Sequence, residues 1–175
     1  SIDVDYLMQH IHGLRTVETI ARVAPHLDVE AEVAELEAEE ICTLHGITRI
    51  PGAAELLAAL DARGQRWGVV TSAPRRLALA KIAEVDLPEP RFLICAEDVA
   101  DGKPHPAPYL AGAAQLGCAP ARLVAIEDAP AGVASAKSAG MTVIALRTTH
   151  ADAALTEADF IVDDLRNLLA SSRIA

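Results

Sequence analysis

The chain has 175 residues, 51% hydrophobic and 23% charged, and a formal net charge of −10. That length suits one domain, or one domain with a small satellite, and the apolar fraction excludes a disordered chain. The acid excess argues against a nucleic-acid partner and a polybasic membrane anchor, and no apolar run reaches the roughly 18 residues of a membrane span.

In chain order, Thr16 to Ala24 reads as a short helix closed by Pro25. Val29, Val33, Leu36, Ile41 and Leu44 lie roughly on one stripe, with Glu30, Glu32, Glu35, Glu37, Glu39 and Glu40 between them. This pattern predicts a helix with a solvated acidic face, stopped near Gly46. The pattern changes at Ile47. Pro51-Gly52 opens a helix through Leu56, Leu57 and Leu60 that ends near Gly64, and Arg66 to Thr71 is a short apolar strand. Arg75 to Val85 is a helix with Pro74 at its start, Arg91 to Cys95 a strand, and Pro106 to Leu116 a helix stopped at Gly117. Leu123 to Ile126 is a strand, Gly132 to Ala139 a helix, Met141 to Leu146 a strand, Phe160 to Val162 a last strand and Leu165 to Ala170 a last helix.

Strands alternating with helices at this spacing predict an α/β fold with a doubly wound parallel sheet, apolar enough to be buried on both faces. In such sheets ligands sit beyond the carboxyl ends of the strands. Thr71 and Ser72 follow one strand, Glu127 and Asp128 follow another, and Gly102-Lys103-Pro104 lies in a loop between them. Each has an ordinary reading: a helix cap for Thr71-Ser72 or Asp128, a solvated surface amine for Lys103. Two adjacent acids at the end of an apolar strand repel each other and are better tolerated beside a cation. Together the groups suit a phosphate site: hydroxyls and amides for phosphoryl oxygens, an ammonium for developing charge, carboxylates for magnesium. The three cysteines, Cys42, Cys95 and Cys118, have no metal-binding spacing and read as buried free thiols in a reducing compartment, hence a cytoplasmic protein.

The segments VVTSAP (Val69 to Pro74), GKPHP (Gly102 to Pro106) and IEDAPAGVASAKSAGM (Ile126 to Met141), in this order, resemble the haloacid dehalogenase superfamily of phosphohydrolases. HGLRTVETI (His12 to Ile20) resembles the helical cap of the branch that dephosphorylates small sugar and polyol phosphates. The resemblance implies a Rossmann-like core at 47–175, a partial helical cap at 1–46 and a hinge near Ile47 to Pro51. It implies that Thr71 binds phosphate with Ser72 beside it, that Lys103 contacts phosphate and nucleophile, and that Asp128 and Glu127 hold Mg2+, with Asp128 the direct ligand. His12, Arg15 and Glu18 are expected to read the substrate's hydroxyls or phosphate, Arg15 foremost because its guanidinium suits bidentate oxygen recognition. Ordinary helix polarity is an equal reading for His12 and Glu18.

The family's opening Asp-x-Asp-Gly-Thr strand, with its nucleophile and its general acid/base, has no counterpart here. Asp3 and Asp5 in SIDVDYL follow no apolar strand and precede no Gly-Thr. The chain is therefore expected to be a truncated piece lacking about 30–45 residues, inactive alone, with a central strand absent from its sheet. Lys103→Ala is expected to cut turnover and disturb folding little. The parent enzyme is expected to be a magnesium-dependent phosphatase of a small sugar or polyol phosphate, acting through an aspartyl-phosphate. The alternatives are a sugar phosphomutase of the same superfamily and a non-catalytic fragment that binds a phosphorylated ligand.

Overall fold

The structure, a computed structural model, describes residues 11–169. The Asp3/Asp5 pair and the predicted helix end at Ala170 lie outside the described residues. The first helices are α1 (Thr16–Val23) and α2 (Val29–Cys42). The Asp28 carboxylate caps α2 by accepting the Ala31 amide at 3.2 Å. The apolar stripe of α2 does not form a core. No residue of this helix is buried, Leu36 is exposed, and Val33 and Ile41 are half-buried. One side-chain tie to the next layer is the Lys81–Glu40 ion pair at 3.2 Å. Gly46 lies in a turn beyond the helix rather than at its end.

The rest alternates helix and strand as expected: α3 (Ala53–Ala62), β1 (Val69–Val70), α4 (Arg75–Glu84), β2 (Leu93–Ile94), α5 (Ala107–Leu116), β3 (Val124–Glu127), α6 (Pro130–Ser138), β4 (Thr142–Leu146), β5 (Phe160–Val162) and α7 (Arg166–Leu169). Every strand pair is parallel. Among the described residues the strands form two sheets, β1-β2 and β3-β4-β5, with no ladder joining them. β1 and β2 are shorter than predicted because only Val69-Val70 and Leu93-Ile94 pair with each other.

Strand β4 shows why the layers form. Its side chains alternate between faces. Val143 and Ala145 pack into one core with Tyr109 and Ala113 of α5 and Val133 and Ala136 of α6. Ile144, from the opposite face, packs with Leu56 of α3 and Leu168 of α7. Val124 and Ile126 of β3 lie in register with Thr142 and Ile144, so they share that second face. The helical cover does not extend to them: they are 56% and 38% exposed. The expectation of a sheet buried on both faces fails at β3, because α3 and α7 cover β4 and β5 alone on that side.

The thiols also depart from expectation. Cys95 is buried, Cys118 is intermediate, and Cys42 is exposed on α2, where no side chain is fully covered. Burial pushes the Cys95 thiol up to about 11, against the opposing charge of Arg75. Among the described residues no helix is long and apolar enough to cross a membrane.

Asp159 joins α6 to the larger sheet. It accepts Lys137 Nζ on Oδ1 and the Val143 amide on Oδ2, both at 2.7 Å. Lys137 first, then the Val143 amide, hold its carboxyl below the ordinary value of 3.8. A carboxyl lowered by folding stabilises the fold above the unfolded value, and that contribution is lost as pH falls through the folded value. Asp159→Asn is expected to lower the urea midpoint at pH 7, with the gap to wild type closing as pH falls below 3.8. Paired urea titrations across that range check it.

Candidate functional site

The site is built on Lys103. It lies in the loop leading to α5, and its bond to Pro104 is cis. Lys103 is 5% exposed and Glu127 9%, so the ordinary reading of Lys103 as a solvated surface amine does not hold, and its burial argues against a Lys103→Ala change that spares the fold. A buried ammonium needs compensating partners. Lys103 Nζ donates to the Val70 carbonyl at 3.1 Å and to Glu127 Oε1. Val70 ends β1 and Glu127 ends β3, so one ammonium bridges the carboxyl ends of two strands that share no ladder.

Glu127 is enclosed from two further sides. The Tyr109 hydroxyl donates to the same oxygen, Oε1, and Lys103 Nζ stands 5.2 Å from the Tyr109 ring centroid. Burial first, then the neighbouring Glu127 charge, hold the Tyr109 phenol well above its ordinary value of 10.0, so it remains a donor. On the other side, a Cβ at Gly132, in the first turn of α6, would run into the Glu127 carboxyl group.

Asp128 is half-buried. The Thr149 hydroxyl donates to its Oδ2 at 2.6 Å, and His150 Nδ1 lies 3.2 Å from its carbonyl oxygen. It does not cap α6, whose N-cap is Ala129. Glu127 and Asp128 are adjacent hard-oxygen donors at one strand end. Two carboxylates suit Mg2+, which keeps several waters and takes phosphate oxygens. Among the described residues no group of three or more His, Cys, Asp or Glu could hold a metal ion. An ion held by these two carboxylates would take its remaining ligands from water and phosphate oxygens.

Thr71 directly follows the Val70 carbonyl that receives Lys103. Its Oγ1 accepts the Ala73 amide at 3.1 Å, a local turn bond; it does not cap α4, whose N-cap is Pro74. Ser72 Oγ donates to the Gly13 carbonyl at 2.6 Å, so its hydroxyl is tied to the segment before α1. That segment passes close over the start of α6. Gly13 has φ +85, and a Cβ there would sit 2.9 Å from the Ala129 Cβ. The His12 and His150 rings meet edge to face at 5.2 Å. Arg15 bonds Glu18 Oε1 through Nε at 2.7 Å and donates to the Ala100 carbonyl at 3.1 Å. Both line a cavity of about 580 Å³ with Arg22, Lys103 and His105.

The structure thus brings Lys103 and Glu127 into contact, sets Thr71 and Asp128 next to their partners, and lays the His12–Glu18 segment alongside. Sequence reasoning missed Tyr109, Gly132, Thr149 and His150. Tyr109 sits in the alanine-rich helix α5 and reads as ordinary core; its rarity, as one of two tyrosines, is its one signal. Gly132→Ala is expected to displace the Glu127 carboxylate and destabilise the fold by about 1–3 kcal/mol, the usual cost of overpacking. Urea unfolding of the variant checks it.

The profile of a family described as haloacid dehalogenase-like hydrolase matches residues 3–146. The chain is 36% identical over 170 residues to hexitol phosphatase A of Escherichia coli, covering 95% of this chain and 79% of that protein. It is 39% identical over 157 residues to glycerol-1-phosphate phosphohydrolase 2 of Saccharomyces cerevisiae, covering 84% of this chain and 62% of that protein. The fold matches the crystal structure of β-phosphoglucomutase from Clostridium difficile with a TM-score of 0.84 at 21% identity, over 96% of this chain and 79% of that one.

Proposed function

Because the chain belongs to the haloacid dehalogenase-like hydrolase family, we propose that it is part of a magnesium-dependent phosphatase acting on a small sugar or polyol phosphate. The observation that carries this reading is the Lys103 ammonium bridging the Val70 carbonyl at the end of β1 and Glu127 at the end of β3, with Asp128 following Glu127 in the chain. The names of relatives at 36% and 39% identity, a hexitol phosphatase and a glycerol-1-phosphate phosphohydrolase, support the substrate class.

In this reading Lys103 neutralises charge on the transferring phosphoryl group, and Thr71 and Ser72 with nearby amides bond its oxygens. Segment 1–46 is the cap, hinged near Ile47 to Pro51 on the core at 47–175. Arg15, His12 and Glu18 face the substrate's hydroxyls, and a ligand that recruits Arg15 competes with Glu18 and the Ala100 carbonyl for its guanidinium. Magnesium, when bound, would be held by Asp128 and Glu127 and would draw negative charge from the phosphoryl oxygens. The nucleophile would be an aspartate of an Asp-x-Asp-Gly-Thr strand upstream of Ser1, which the family resemblance makes central in the sheet. Its carboxylate oxygen bonds phosphorus, the ester P–O bond breaks, and the leaving alkoxide takes a proton. Water then attacks phosphorus, releasing inorganic phosphate and restoring the carboxylate.

Phosphate release from a panel of sugar and polyol phosphates in magnesium tests the proposal. The protein extended at its N-terminus by an Asp-x-Asp-Gly-Thr strand is expected to hydrolyse at least one member, the 175-residue chain none, and Asp128→Ala in the extended protein to lose the activity. No release by the extended protein from any member overturns the reading, and an isomerised sugar phosphate in place of free phosphate reassigns it to a mutase.

A further inference from the structure

We propose that Tyr109 is a positioning residue of the phosphate site: its hydroxyl pins Glu127 Oε1, and so holds the Lys103 ammonium where a phosphoryl group would meet it. The inference rests on the reading of Lys103 as a phosphate-site residue, and its geometry stands apart from that reading. Three groups share one buried locus. Lys103 Nζ and the Tyr109 hydroxyl both donate to Oε1 of Glu127, and the ammonium also lies 5.2 Å from the Tyr109 ring centroid.

Each group restrains the next. Gly132 leaves room for the Glu127 carboxyl group against α6. Two donors on one oxygen stop that group turning about its last bond. The fixed oxygen and the Val70 carbonyl together set where Nζ sits. Without the phenol hydroxyl, Oε1 keeps Lys103 as a donor, yet the carboxylate is free to swing and the ammonium to follow it. Partners one step behind a functional group fix its orientation, and their loss typically costs about 10- to 100-fold in affinity or activity. Tyr109 is itself held by the α5–α6–β4 core, where it packs with Ala113, Val133 and Val143. A hydroxyl reached from that core is therefore a rigid support, and phenylalanine keeps the packing while removing the bond.

The chain makes the test direct, since it has three lysines, Lys81, Lys103 and Lys137, and Lys103 is the one buried. Its side-chain ammonium is expected to give a slowly exchanging 1H–15N signal in the 175-residue protein, apart from those of the other two. Tyr109→Phe is expected to shift and broaden that signal while the backbone amide spectrum of β4 and β5 is kept. In calorimetry with magnesium present, the same variant is expected to weaken inorganic phosphate binding about 10- to 100-fold. A Lys103 signal unchanged in Tyr109→Phe overturns the proposal, and so does phosphate binding lost with that signal unmoved. If neither this chain nor the protein extended at its N-terminus binds phosphate but the signal moves in the variant, the positioning stands and the proposed function fails. Should Tyr109→Phe not fold, 3-fluorotyrosine incorporation keeps the shape and makes the phenol a stronger donor. It is expected to shift the Lys103 signal, and an unmoved signal there also overturns the proposal.

Discussion

One buried ion pair organises this molecule. Lys103 and Glu127 are charged, almost wholly covered, and joined to each other. A buried pair of this kind is costly to desolvate and far costlier to break, because removing one partner strands the other charge. The fold meets that cost with a carbonyl for the ammonium, a phenol for the carboxylate and a glycine where any side chain would intrude. The pair also does what no backbone ladder does among the described residues: it ties the β1-β2 sheet to the β3-β4-β5 sheet.

The same joint explains why reactive groups collect where they do. Parallel strands end together, so residues distant in sequence arrive on one rim. Thr71 and Ser72 follow β1, Glu127 and Asp128 end or follow β3, and Thr149 and His150 follow β4. Ser72 and His150 reach the segment before α1, through the Gly13 carbonyl and the His12 ring. Arg15 reaches the loop that carries Lys103, through the Ala100 carbonyl. The first helices are therefore fastened to the rim by polar contacts. The apolar stripe of α2 contributes little, because that helix buries no side chain, whereas α1 buries Ile20.

Much of this was legible in the residues. Among the described residues, apolar runs broken by Gly and Pro located every strand and α-helix from Ala53 onward, since punctuation by those residues is local chemistry, but not the short 3-10 turns such as Ala96–Asp98. Strand lengths were not legible. A ladder exists only where a partner runs alongside, and the apolar run 66–71 has a partner over Val69-Val70 alone. The open face of β3 was missed for the same reason: Val124 and Ile126 look like core residues, and only the positions of α3 and α7 decide that they are not. At the site, Lys103 was singled out by its motif, but its burial was not, because the Val70 carbonyl and Tyr109 come from other elements. Ser72 and Arg15 were read as ligand contacts, and the structure gives each a protein partner that only tertiary approach could supply.

The central claim is that Lys103 and Glu127 form one energetic unit on which the joint between the sheets depends. A double-mutant cycle in unfolding free energy, with Lys103→Met, Glu127→Gln and the pair together, measures that coupling. The account predicts a loss of about 3–5 kcal/mol for each single change and a double variant scarcely less stable than the worse single one. Strictly additive losses, or single changes that leave stability untouched, would contradict it.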